Sequence, residues 1–188
     1  GSGATGNGVI VTPTRSGVRI YNGALRGWFQ GIDATNAVYS RIDNVSVIGN
    51  NRGIDTGIAS LLEDCNVSGN TNNGIVARTS TVRNCIVIDN GLSGLVIHDR
   101  SFVHHNQIRL NNVSQAGVGN VLIVGTDSVV ADNDLSGLIS NGTDIATADT
   151  SRGNDVVRNT LCSIATGGTN NYVPILTADP ERNMINGC

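Results

Sequence analysis

Apolar residues recur along this chain in a fixed frame. An aliphatic residue is followed three positions on by Val or Cys, five on by Val, and eight on by Asn. The frame reads Ile42–Val45–Val47–Asn50, then Leu62–Cys65–Val67–Asn70, then Val82–Cys85–Val87–Asn90. Each copy is followed by Gly and an apolar residue: Gly53-Ile54, Gly74-Ile75 and Gly94-Leu95. The step between copies is 20 residues. Self-similarity at that period marks a stacked-repeat architecture. Looser copies flank the three: Val18, Ile20 and Gly31-Ile32 before them; Val103–Asn106–Ile108–Asn111, Val130–Asn133–Leu135 and Val157–Asn159 after.

A leucine-rich repeat also fits the first half of the frame, so the second half discriminates. Thr71-Asn72-Asn73-Gly74-Ile75-Val76-Ala77-Arg78-Thr79 alternates with period two, shows no 3.6-residue period and consists mostly of poor helix formers. Both halves are strand-like, which predicts an all-β, single-stranded parallel β-helix of about six to seven turns. Equivalent residues of adjacent turns then stack ~4.8 Å apart. Ile42, Leu62, Val82, Val103 and Val130 form one inward column, and Val47, Val67, Val87, Ile108 and Leu135 another. Asn50, Asn70, Asn90 and Asn111 fall at a corner, where a repeated amide bonds the turn backbone and its copies above and below. The following Gly permits either positive φ or close backbone approach.

The boundaries expected are one domain: 1–17 an irregular cap or tag remnant, 18–163 the turns, 164–188 a C-terminal cap and tail. The later turns lengthen, and the extra residues at 112–129 and 137–156 are expected to protrude as loops.

Composition changes the picture little. Strand and turn residues dominate, aromatics are 3 %, and all 12 cationic side chains other than His are Arg. A net charge of −3 gives no electrostatic case for nucleic acid, and no apolar run is long enough to span a bilayer. Cys65 and Cys85 share a repeat position and read as stacked, buried thiols; Cys162 and Cys188 could clip the tail.

The stretch Tyr21-Asn22-Gly23-Ala24-Leu25-Arg26-Gly27-Trp28, then Gly31-Ile32-Asp33, Ile42-Asp43-Asn44-Val45 and the later N-x-x-G-I turns resemble right-handed β-helix repeat proteins of the pectate-lyase-like superfamily. Gly153-Asn154-Asp155-Val156-Val157-Arg158-Asn159-Thr160 resembles the terminal turn such proteins carry. The resemblance implies a right-handed coil and an extracellular or cell-surface protein. It also implies polysaccharide as the partner: lyases, hydrolases and epimerases are known in the family, as are phage tail proteins and adhesins. A monomer or a homotrimer fits it. Motifs made of core and corner residues do not transfer activity.

Outward positions are where chemistry would sit. Alternation after the Gly-apolar step places Asp33 and Asp55 in one outward column, and Arg78 and His98 in the next. Two carboxylates, a guanidinium and an imidazole on one sheet suit an acidic polysaccharide. Arg neutralises a uronate carboxylate or serves as base, and a carboxylate pair holds Ca²⁺ or serves as acid and base. The same residues also suit an ordinary solvated surface with weak ion pairs. No other cofactor is expected. Asp43, Glu63, Arg83 and His104 form a further outward column, read as structural cross-strand pairing. Trp28 and Phe29, with Tyr21 and Tyr39, either stack on sugars or plug the first turn, with the plug favoured. His104 and His105 should point to opposite sides of a strand, against a shared metal. Outward Ile86 and Val96 hint at an apolar stripe for oligomer formation.

Overall fold

The computed structural model describes residues 5–113, 119–135, 143–148, 151–161, 164–165 and 183–185. It is all β: a right-handed parallel β-helix of about six turns. No helix occurs among the described residues, which removes the leucine-rich alternative. Each regular turn contributes three strands. In one turn these are Leu61–Glu63, Asn66–Ser68 and Ile75–Ala77. The third strands build an eight-stranded parallel sheet; the first and second strands build two rows of a larger sheet, joined through the long strand Arg41–Ile48.

The expected columns are in register. Ile42 pairs with Leu62, Leu62 with Val82, Val82 with Val103, and Val103 with Val130. A third inward column comes from Ile32, Ile54, Ile75, Leu95, Val121 and Ile145 on the eight-stranded sheet. These side chains are buried throughout, and the core is one uninterrupted stack of aliphatics. Cys65 and Cys85 lie in it as free thiols. Contact with Cys65 and burial push the Cys85 thiol well above its ordinary value, so it stays un-ionised.

Side-chain ladders hold the corners. The backbone N–H and Nδ2 of Asn50 both donate to Asn70 Oδ1, at 2.9 and 3.1 Å. Asn70 does the same to Asn90, and Asn90 to Asn111. Asn120, nine residues beyond Asn111, and then Asp144 extend this column. A second Asn ladder runs through Asn106, Asn133, Asn159 and Asn183. At the third corner three hydroxyls and one amide accept: Ser60 N–H donates to Ser80 Oγ, Ser80 N–H to Ser101 Oγ, Ser101 N–H to Ser128 Oγ, and Ser128 N–H to Asn154 Oδ1.

Immediately before most ladder residues the chain turns through positive φ. Gly49, Gly69, Asp89 and Leu110 precede the first Asn ladder; His105, Asp132 and Arg158 precede the second; Ala59, Thr79, Arg100 and Asp127 precede the Ser ladder. The glycines after the first ladder serve the other purpose foreseen for them. A Cβ on Gly74 would lie 2.6 Å from the Gly94 carbonyl oxygen, so the strand approaches too closely for any side chain.

Four expectations change. Asn7–Ile10, expected inside an irregular cap, is a strand paired with Gln30–Asp33. The protruding loops at 112–129 and 137–156 are interrupted by regular structure, because Gly119–Ile123 and Thr143–Thr147 continue the eight-stranded sheet. Trp28 and Phe29 do not plug the first turn; both are exposed at the surface. Val96 is buried while Ile86 is exposed, so they make no apolar stripe. Cys162, Cys188 and the Gly117-Val118 step lie outside the described residues.

Asn90→Ala removes two acceptor bonds from Asn70 and three donor bonds, to Val67 O, Ile88 O and Asn111 Oδ1. It strands the buried Asn70 amide, so the expected loss is about 2–4 kcal/mol by urea unfolding. Asn44→Ala removes one exposed bond, to Asn22 Oδ1, and an Asn suited to its positive φ, and should cost less, about 1 kcal/mol.

Candidate functional site

Four adjacent strands of the eight-stranded sheet, Gln30–Asp33, Arg52–Asp55, Ile75–Ala77 and Leu95–Ile97, present a shallow groove on their outer face. Its volume is about 330 Å³. Asp55, Arg78 and His98 line it, one from each of three successive turns. Gln30, Arg52, Asn72, Asn73, Val76, Leu92 and Val96 complete the walls. The strand period explains the convergence: Asp55 pairs in register with Val76, and Val76 with Val96. Arg78 and His98 follow at the strand ends, where their longer side chains lean back over that column.

Three of the four residues singled out from the sequence thus share one groove. Asp33 is in register with Asp55, as expected, but does not line the groove. Its carboxylate accepts from Asn7 Nδ2 at 3.1 Å and from Thr35 Oγ1 at 2.9 Å, which turns it toward the first corner. Asp55 is ion-paired with Arg78. Arg78 also donates to Thr56 O at 3.2 Å, which fixes the guanidinium across the strand. With Arg78 against one carboxylate and Asp33 held elsewhere, the pair does not fit a shared Ca²⁺. Among the described residues no three His, Cys, Asp or Glu side chains form a set that would hold a metal ion.

Burial and the Arg78 charge hold the His98 imidazole below its ordinary value of 6.5, outweighing the opposite pull of Asp99 and Asp55. His98 is therefore neutral at pH 7 and able to accept a proton. Arg52 differs from Arg78. It is exposed and makes no ion pair among the described residues, and its guanidinium lies 6.0 Å from the Phe29 ring centroid. Arg52, Gln30, Asn72 and Asn73 did not emerge from the sequence. The residue preceding the Gly of each Gly-apolar step was the available signal: Gln30, Arg52, Asn73 and Ser93 are polar at that position.

The other outward column behaves as a structural feature. Asp43 pairs with Glu63, Glu63 with Arg83, and Arg83 with His104 along the sheet. Arg19 and Arg41 pair with Asp43; Arg41 and Arg83 pair with Glu63. The hydrogen bond from Arg83, reinforced by the Arg41 charge, holds the Glu63 carboxyl below its ordinary range. Both carboxylates of this column are ion-paired with these arginines. At its edge His104 and His105 do not diverge. His105 turns through φ 56°, which breaks strand alternation and brings the two Nδ1 atoms to 2.7 Å.

No protein-family model matches the chain, and no curated protein matches it by sequence. Two solved structures share its fold. The A-module of Azotobacter vinelandii mannuronan C-5 epimerase AlgE6 aligns over 92 % of this chain at 15 % identity, with a TM-score of 0.58. The A-module of mannuronan C-5 epimerase AlgE4, from the same organism, aligns over 92 % at 16 % identity, also with a TM-score of 0.58. The chain spans 57 % and 58 % of the lengths of those two modules.

The groove electrostatics make a measurable claim. The His98 ring should titrate below 6.5 by heteronuclear NMR. In Arg78→Ala its midpoint should rise, because a repelling cation is lost and Asp55 is left unpaired. Since the folded form binds the proton less readily than the unfolded chain, His98 should make stability fall as pH drops below about 6.5 toward the folded midpoint. His98→Ala should flatten that segment of the pH–stability curve.

Proposed function

We propose that this β-helix is an extracellular polysaccharide-binding module and that its groove receives an acidic glycan. The observation that carries the reading is the convergence of Asp55, Arg78 and His98, with Arg52, in one groove. A groove with cationic and amide side chains on a flat parallel sheet offers an extended polar polymer a bed several turns long, at ~4.8 Å per turn. Val76, Leu92 and Val96 supply an apolar floor for sugar C–H faces. The structural neighbours, named as mannuronan C-5 epimerases, support a polysaccharide as the ligand.

A second reading, catalysis on the same glycan, is favoured by one specific feature. His98 is held neutral in the groove, as a base that removes a proton beside a carboxylate must be. Arg78 stands beside it as the group that would stabilise the resulting negative charge. In this reading Asp55 is a positioning residue, because it holds Arg78 in place. Asp33, turned away from the groove, takes no direct part.

The test is affinity electrophoresis on polymannuronate, polygalacturonate and a neutral glucan, each with and without Ca²⁺, read alongside absorbance at 235 nm and proton NMR of the glycan. The module should be retarded by the polyuronates, less so at high salt. Val76→Trp, which fills the groove from an outward position, should abolish retardation without lowering Tm. A product that is lost in His98→Ala while retardation remains would establish the catalytic reading. Equal retardation of wild type and Val76→Trp would overturn the groove.

A further inference from the structure

The groove holds two guanidinium groups with opposite availability, and the difference assigns one of them a task. Arg78 is neutralised by Asp55 and tied to the Thr56 carbonyl. An incoming anion would have to displace a carboxylate that is only slightly exposed. Arg52 has no carboxylate partner among the described residues and sits at the opposite end of the groove, on the strand Arg52–Asp55. Its backbone N–H donates to Phe29 O at 2.9 Å, which fixes the start of that strand against the Phe29 corner. Its guanidinium is drawn to the ring of the same Phe29. An aromatic ring that restrains the group over its face leaves the planar fork of N–H donors free at the edge. That is the geometry for bidentate donation to a carboxylate.

Resting on the groove reading above, we infer that Arg52 is the residue that selects acidic over neutral glycans, by taking one uronate carboxylate, and that Phe29 positions it. Arg78 serves the groove's internal electrostatics instead. The sugar that carries this carboxylate lies at the Gln30–Arg52 end, and the polymer continues toward His98 across successive turns. Asn72, braced by its Nδ2 donation to Asn51 Oδ1 at 2.8 Å, stands on the next turn as a neutral polar contact. A sulfate ester would also suit a guanidinium, but the inference is for a carboxylate, and the test separates the two.

The experiment is calorimetric titration with an oligouronate, its carboxyl-reduced counterpart and a sulfated neutral oligosaccharide, using wild type, Arg52→Ala, Arg52→Lys, Phe29→Ala, Arg78→Ala and Val76→Trp. Arg52→Ala should weaken oligouronate binding about ten-fold or more while leaving the carboxyl-reduced ligand unaffected. Arg52→Lys should recover only part, since a point charge lacks the fork. Phe29→Ala should weaken oligouronate binding a few-fold at unchanged Tm. Two results would overturn the assignment and spare the groove. One is preference for uronate surviving in Arg52→Ala and vanishing in Arg78→Ala, with Val76→Trp still blocking. The other is sulfated ligand binding as tightly as uronate. Binding that persists in Val76→Trp, or no binding by wild type, would remove the groove reading itself.

Discussion

The structure depends on one hydrogen bond repeated from turn to turn along its corners: a backbone N–H of one turn given to a side-chain oxygen of the next. A chain that reverses three times in 20 residues leaves corner amides buried with no strand partner. Asn50, Asn70, Asn90 and Asn111 supply the acceptors at one corner, and Ser80, Ser101 and Ser128 at another. Each bond is worth roughly 0.5–1.5 kcal/mol net, and an orphaned buried amide costs about 1–3 kcal/mol. A non-Gly residue at positive φ costs on the order of 1–3 kcal/mol. At Asp89, Leu110, His105 and Asp132 such residues persist because two or more ladder bonds follow each one. The ladders also fix register. A slip by one residue would bury the outward columns and expose the aliphatic ones.

Given that register, the two broad faces use charge differently. On the larger sheet, Arg19, Arg41 and Arg83 alternate with Asp43 and Glu63 and neutralise them. On the eight-stranded sheet the outer column passes from Asp33 and Asp55 to Val76 and Val96. Carboxylates give way to small apolar side chains there, which makes the depression into which Arg78 and His98 reach. The ion pair of Asp55 with Arg78 stands at the point where that column changes residue type.

Much of this was legible in the sequence because the repeat is regular where it matters. The frame around Asn50, Asn70 and Asn90 specified the strands and the first ladder, and period-two counting placed Asp55, Arg78 and His98 on one sheet. The second ladder was partly hidden, because its column begins as Val45, Cys65 and Cys85 and becomes Asn only at Asn106. The Ser ladder was hidden because Ser is common in turns for other reasons. Strand counting failed where φ turns positive, as at His104 and His105. It also failed after Asn111, where the residue in register with Leu95 is Val121 rather than Val118. Trp28 and Phe29 were misplaced because an aromatic pair near a chain end reads as core. Here the open strand edge is covered instead by Asn7–Ile10.

The central claim, that function resides on the eight-stranded face, is tested most directly by mapping amide shifts of the labelled protein during titration with an oligouronate. Perturbations should concentrate at Gln30, Arg52–Asp55, Asn72–Arg78 and Leu92–His98, and leave Arg19, Arg41 and Arg83 unmoved. Shifts centred on the Arg19–Glu63 face, or scattered without a focus, would contradict the account.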